Sequence, residues 1–406
     1  MNNAMDAKTR DRMFEVIKAS LWEKGSASAD WAVYREMRQQ SIQGLPAGIL
    51  ASVEMPDELR QEWKAEVYRM ISTNVQYRRE QAAIPITVPY AILKGTSAAR
   101  YYPHPLYRTM GDIDLMTRKE DFDRACAELL EHGYKENTGV YTERTGRHRE
   151  FEKNGVEIEA HVVYTYTDDP EKAKLLDGLI LSSMTPEHEL PDEVNGLVLL
   201  NHINLHMEEG IGLRQILDWM LFVHHCLPDE KWPEFRELAR QTGMEEMAVA
   251  FTRMCEIYLG LEEHSWSAQA EPELCAQLMD YVLTSGNFGR KQDESSRVSR
   301  NFLGSARTLG GAVRYLQSRG LITWTAAQRH RFLRPFAWIY QAFRYLKKGL
   351  KRKDSLEKLK EERRAAEERN RLFDALHVTR EDQGVIRYRN GEYVKEIGNH
   401  TANRTG

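Results

Sequence analysis

The sequence predicts an α+β protein, with a small strand-rich block embedded in a mainly α-helical chain. Three observations carry this. Apolar residues recur at helical spacing through residues 8–84 and again beyond Pro191. Between Pro85 and about Tyr166 the rhythm shifts to short β-prone runs. At 406 residues, 41% hydrophobic and 29% charged, the composition is globular and excludes collagen-like, prion-like and wholly disordered chains. The length allows roughly two to three domains.

Each element has a local cause. Asp30 can cap a helix starting at Trp31, and Pro56-Asp57 opens a long charged helix running to about Ala82. Strands are expected at 86–93, 112–117, 149–153 and 156–163, the last two joined by the two-residue turn Asn154-Gly155. Residues 118–133 read as a helix with Phe122, Ala125, Cys126, Leu129 and Leu130 on one face and Gly133 as its stop. Farther on, Leu213, Ile216, Leu217, Met220 and Leu221 form a full helical stripe, with Arg214 and Asp218 spaced as a helix ion pair opposite it.

After Pro335 a second stripe, Phe336, Ile339, Tyr340 and Phe343, runs into the basic stretch 344–353. Residues 354–376 form a mixed-sign helix suited to solvent or to bridging a partner, and Asn390-Gly391 marks a terminal hairpin within 385–397. The expected divisions are 1–84, 85–166, 167–350 and 351–406.

Net charge is −4, which argues against a protein that coats nucleic acid, and no DNA partner is expected. The four cysteines are widely spaced and read as isolated thiols of a reducing compartment. No run of about eighteen apolar residues occurs and the first residues lack signal-peptide order, so the expectation is a cytoplasmic protein with no membrane partner.

The chemistry concentrates in two runs. In Gly111-Asp112-Ile113-Asp114-Leu115, a strand points both carboxylates one way and both aliphatic side chains the other. Adjacent parallel carboxylates repel unless a cation lies between them, and Mg²⁺ suits such hard oxygen donors. In Leu93-Lys94-Gly95-Thr96-Ser97, a strand ends in a turn that starts a helix, placing Gly95, Thr96 and Ser97 where backbone N–H groups suit phosphates. A third carboxylate is expected nearby. Glu157, Glu159 and His161 share one strand face, and Glu159 is favoured because it lies farther from the turn. His161 reads equally well as a structural histidine. His202 and His206 have zinc-like spacing but no third ligand.

Strand, Gly-[Ser/Thr], helix, Asp-x-Asp and a later carboxylate is a pattern that resembles the nucleotidyltransferase superfamily typified by DNA polymerase beta. More narrowly, the chain is similar to the uncharacterised bacterial nucleotidyltransferase family. The residues that carry this are Leu93-Lys94-Gly95, Tyr102-Pro103, Arg108 with Gly111 to Leu115, Gly133-Tyr134, Glu159-x-His161, Leu213-Arg214-x-x-x-Asp218 and Gly286-Asn287-Phe288-Gly289. Two features depart from the usual pattern: Gly-Thr-Ser replaces Gly-Ser, and Glu159 stands where Asp is commoner.

The resemblance implies a mixed-sheet nucleotidyltransferase core and transfer of a nucleoside monophosphate from an NTP such as ATP to an acceptor, with pyrophosphate leaving. It implies Mg²⁺, with Mn²⁺ as substitute, on Asp112, Asp114 and Glu159. Gly95, Thr96 and Ser97 would grip the β- and γ-phosphates, and Lys94 and Arg108 would stabilise the leaving pyrophosphate. The expected acceptor is a small molecule or a protein. A toxin-like enzyme acting on tRNA and an inactive nucleotide-binding or scaffold module are the alternatives.

Overall fold

Asp30 accepts hydrogen bonds from the Ala32 and Val33 amides, closing the N-terminus of a helix as its position predicts. In the computed structural model that helix, α2 (Trp31–Gln39), follows α1 (Ala7–Trp22) and precedes α3 (Asp57–Ala82), which begins directly after Pro56. The structure describes residues 5–22, 25–137, 147–291, 309–350, 356–389 and 391–396. They form two compact units, one from described residues within 1–138, 147–165 and 175–292, the other from those within 166–174 and 293–406.

The first unit holds a five-stranded mixed sheet. Its strands are β1 (Tyr90–Leu93), β2 (Ile113–Thr117), β3 (Lys135–Asn137), β4 (His148–Lys153) and β5 (Val156–His161). Their spatial order is β1-β2-β5-β4-β3, with β2 and β5 parallel and every other neighbour antiparallel. The hairpin between β4 and β5 turns on Asn154 (φ 55°) and Gly155 (φ 75°), the left-handed pair a two-residue turn requires.

Under one face of the sheet, Ile92, Ile113, Leu115, Phe151, Ile158 and Ala160 pack with Ala125, Cys126 and Leu129 of α5 (Lys119–Glu131). Leu130, expected on that face, is 43% exposed, so the buried stripe is narrower than its apolar run. The first strand also starts later than expected, at Tyr90. Pro85 and Pro89 lack the N–H a ladder needs, so Ile86 and Val88 enter the core as irregular chain.

Further helices complete this unit. The short α4 (Gly95–Ala99) follows β1, and α6 (Pro170–Ser182) follows the sheet, with its residues from Leu175 onward in this unit. α7 (Asp192–His206), α8 (Leu213–Cys226), α9 (Trp232–Thr242), α10 (Glu245–Leu259) and α11 (Pro272–Ser285) come next. The predicted stripe of α8 is wholly buried, and so are Arg214 and Asp218, which its helical spacing placed on the other side.

In the second unit, α12 (Leu309–Thr323) and α13 (Thr325–Arg329) lead through a 3-10 turn, Arg331–Phe336, to α14 (Ala337–Leu350). Gly320 lets α12 and α14 touch: a Cβ there would lie 2.0 Å from the Ala337 carbonyl oxygen. The charged helix α15 (Leu356–Ala375) carries exposed pairs Arg363–Glu367 and Arg364–Glu368, yet buries Ala366, Asn370 and Phe373 along one line. Antiparallel β6 (Val385–Arg389) and β7 (Glu392–Glu396) end the described chain. Asn390 and residues 351–353 of the predicted basic stretch lie outside the described residues. No helix among the described residues is long and apolar enough to cross a membrane.

Candidate active site

Register across the sheet assembles the acidic groups. The parallel pair β2/β5 sets Asp114 opposite Glu159, and the antiparallel pair β4/β5 sets Glu150 opposite the same Glu159. Two residues along, His161 lies between Met116 and His148. Directly paired residues share a face, so with Ile113, Leu115, Ile158 and Ala160 turned to the core, the carboxylates and histidines occupy the opposite face. Asp112, half-buried, immediately precedes β2. Asp112, Asp114 and Glu159 each offer an oxygen within 4.8 Å of the others. Glu157 pairs with Glu152 next to the turn and lies outside this group.

Asp114 is the centre of the electrostatics. It is fully buried; its Oδ1 lies 2.6 Å from the Lys94 ammonium and 2.9 Å from His161 Nε2. Its Oδ2 is buried with no hydrogen-bond partner, as is His161 Nδ1. Burial alone would lower the Lys94 pKa, but the facing carboxylates, Asp114 first, hold it above its ordinary value. His161 repeats that balance: burial pulls its pKa down, the hydrogen bonds to Asp114 and Glu159 outweigh it, and the net direction is up.

Burial pushes Glu159 up, while His161, 3.3 Å away, and Lys94 pull it down further, to about 2. His148 is lowered to about 4 by burial and by His161. Such a site gathers carboxylates in a place where water cannot solvate them all. Hard oxygen donors with a buried, unpartnered oxygen among them fit a divalent cation such as Mg²⁺. His148, Glu159 and His161 form a second group of donors at the same edge.

The turn after β1 is strained where it meets the site. Lys94 has φ 47° and ψ −139°, a region few non-glycine residues enter, and Gly95 follows at φ 29°. A Cβ on Gly95 would come 3.3 Å from the Asp112 carbonyl oxygen, so glycine allows the turn to press against the Asp-x-Asp strand. The Thr96 hydroxyl donates to Gln81 Oε1 and the Ser97 hydroxyl to Asn195 Oδ1 at 2.6 Å. Both hydroxyls therefore have partners within the chain, and Gly95 is the residue of the turn that lies against the Asp112 carbonyl.

Arg108 is placed differently. Its Nε and Nη2 fork onto Asp218 Oδ1 and Oδ2, each at 2.7 Å, and Tyr102 donates to the same Oδ1 at 2.9 Å. Asn74 of α3 clamps the loop by donating to the carbonyls of Leu106 and Arg108. The expected helix pair Arg214–Asp218 is thus replaced: Asp218 takes the bidentate fork of Arg108, and Arg214 turns to the Thr109 carbonyl and the Phe288 ring, 5.3 Å from its centroid. Burial, with Arg108 close by, lowers Arg214 to about 10. Two motifs far apart in sequence, at 213–218 and 286–289, so converge behind the loop that leads into Asp112. The His202 and His206 rings meet edge to face, centroids 4.9 Å apart, outside any metal-type group among the described residues.

Sequence reasoning missed Glu150, His148 and Asn195, and took Tyr102 only as part of the Tyr102-Pro103 pair, without its partner. For the first two the signal was present. Counting back from Asn154-Gly155 pairs Lys153 with Val156, and hence Glu150 with Glu159 and His148 with His161. Asn195 and Tyr102 reach their partners across 98 and 116 residues, and no local spacing announces them.

A mixed sheet that gathers three carboxylates beside a strained Gly turn defines the chain as an enzyme of the nucleotidyl-transfer class. It belongs to the uncharacterised nucleotidyltransferase family, whose model matches residues 27–260, more than half of the chain. The match contains the whole sheet and every residue of the acidic cluster. No curated protein and no solved structure matches the chain.

Proposed function

We propose that the chain transfers a nucleoside monophosphate from an NTP to a small-molecule or protein acceptor, in the manner of the DNA polymerase beta-like superfamily. The observation that carries this is the convergence of Asp112, Asp114 and Glu159 with one buried carboxylate oxygen left without a partner. In the reaction, the acceptor oxygen forms a bond to the α-phosphorus as the bond to the bridging oxygen breaks, and pyrophosphate departs.

Asp112, Asp114 and Glu159 would hold Mg²⁺, which when bound neutralises phosphate charge and polarises the α-phosphoryl group. Of the carboxylates paired across β2 and β5, Glu159 has a side chain 26% exposed against 0% for Asp114, so it is the one positioned to receive the acceptor's proton. The backbone at Gly95, Thr96 and Ser97 supports a grip on the β- and γ-phosphates. Lys94, already against Asp114, would share the charge of the leaving group, and Arg108 would act by fixing the loop that carries Asp112.

Purified protein, Mg²⁺ and each α-labelled NTP, with lysate metabolites, protein and RNA offered as acceptors, tests the reading. Pyrophosphate release with label on a small molecule or protein is expected, and Asp112→Ala with Asp114→Ala should abolish it. Label found on tRNA moves the acceptor to RNA. NTP binding without any transfer assigns the chain to an inactive binding module, and full transfer by the double variant overturns the site.

A further inference from the structure

Among the described residues eleven large apolar side chains stand exposed, and five of them fall within twelve residues of the second unit. These are Phe332 (72%), Phe336 (54%), Trp338 (37%), Ile339 (36%) and Phe343 (71%). The other six are scattered singly, as on any soluble surface. Ile339 and Phe343 lie four residues apart on α14, and Phe332 and Phe336 of the preceding 3-10 turn continue the run.

The opposite side of α14 is already committed to its own unit. Ala337 and Gln341 are buried, the Trp338 amide donates to Gln317, Thr323 donates to Gln341, and Tyr340 stacks on Trp324 at 4.9 Å. The phenylalanine row therefore adds nothing to the unit's core. A contiguous apolar exposure of this kind marks a surface that meets something.

Charge indicates what it meets. From residue 295 to residue 353 the chain has no Asp or Glu and fourteen Lys or Arg, within a protein of net charge −4. Arg329, Arg331, Arg344 and Lys347, all exposed, flank the apolar run in sequence. We propose that this face of α14 is a docking surface for an anionic phospholipid bilayer. Phe332, Phe336, Ile339 and Phe343 would enter the headgroup–acyl boundary while the flanking cations stay with lipid phosphates.

The helix has 14 residues, about 21 Å at 1.5 Å per residue, too short to span and suited to lying flat. A surface-lying helix needs no spanning segment, so the lack of a long apolar run bears only on crossing. Single-stranded RNA suits the face less well. Stacking on bases rewards aromatic rings set along a basic groove, and an outward row that includes the aliphatic Ile339 gains little from it. The inference shares no residue with the carboxylate site and stands whether or not nucleotidyl transfer is confirmed.

Flotation of the 406-residue chain with phosphatidylcholine vesicles, with and without phosphatidylglycerol, tests it. Binding is expected to the phosphatidylglycerol vesicles, to weaken with salt, and to be slight on phosphatidylcholine alone. Phe336→Ser and Phe343→Ser should each weaken binding about tenfold, with unchanged circular dichroism because both side chains are exposed. Arg344→Glu with Lys347→Glu should weaken it by at least about tenfold. No flotation, or flotation that survives both phenylalanine substitutions, overturns the proposal. Salt-sensitive binding of an RNA homopolymer without flotation gives the basic stretch to nucleic acid and overturns it as well.

Discussion

Two buried ion pairs lie close in the first unit and are built to opposite ends. Around Asp218 everything is closed: Arg108 meets both carboxylate oxygens and Tyr102 adds a third bond. Around Asp114 the arrangement is lopsided, with Lys94 and His161 crowding Oδ1 and Oδ2 left buried without a partner. Burying a charge is costly in both places, and only the closed pair answers that cost within the chain. The closed pair is a brace that fixes the loop into Asp112. The open one, on the proposed reading, is completed by the cation it would hold.

The largest effect expected from breaking this contrast is on turnover. Asp112→Asn removes one carboxylate from the open group without touching an ion pair, so transfer should fall at least about a thousandfold in the labelled-NTP assay. Its melting temperature should stay close to that of the wild type. Arg108→Met attacks the closed pair instead and leaves Asp218 charged and buried. It should cost about 3–5 kcal/mol of stability, read by urea or thermal unfolding.

A smaller effect sharpens the distinction further. Mg²⁺ or Mn²⁺ at about a hundred times its dissociation constant should stabilise the wild type by about 2.7 kcal/mol. Thermal unfolding should show this rise lost in Asp112→Asn and only reduced in Arg108→Met, which keeps every carboxylate but loosens the loop into Asp112. A rise that persists in Asp112→Asn would place the ion elsewhere. Smallest of all, Tyr102→Phe removes one of three bonds to Asp218 and should cost about 1 kcal/mol in the same unfolding measurement, with transfer little changed.

The open pair was the more legible of the two in the sequence. Alternation in Asp112 to Leu115 and in Val156 to His161 fixes which side chains share a face, and the Asn154-Gly155 turn fixes the hairpin register. These are signals of period two and of local turn chemistry. The closed pair is not visible that way, because Arg108 and Asp218 are 110 residues apart and either could have paired nearer home. Arg214, four residues from Asp218, offered a local partner that the fold declines. The strand β3 also escaped, being three polar residues, Lys135–Asn137, with no alternation to read. Lys94 was legible as a residue near the site but not as the buried counter-charge of Asp114, since its positive φ leaves no mark in sequence spacing.

The parallel pairing of β2 with β5 also orders events in time. Parallel neighbours need a crossover, and here α5, β3 and β4 all intervene between Asp114 and Glu159. A ribosome releases Asp112 and Asp114 well before the strand that carries Glu159. The three carboxylates therefore meet only when β5 pairs with β2, after the whole crossover between them has been made.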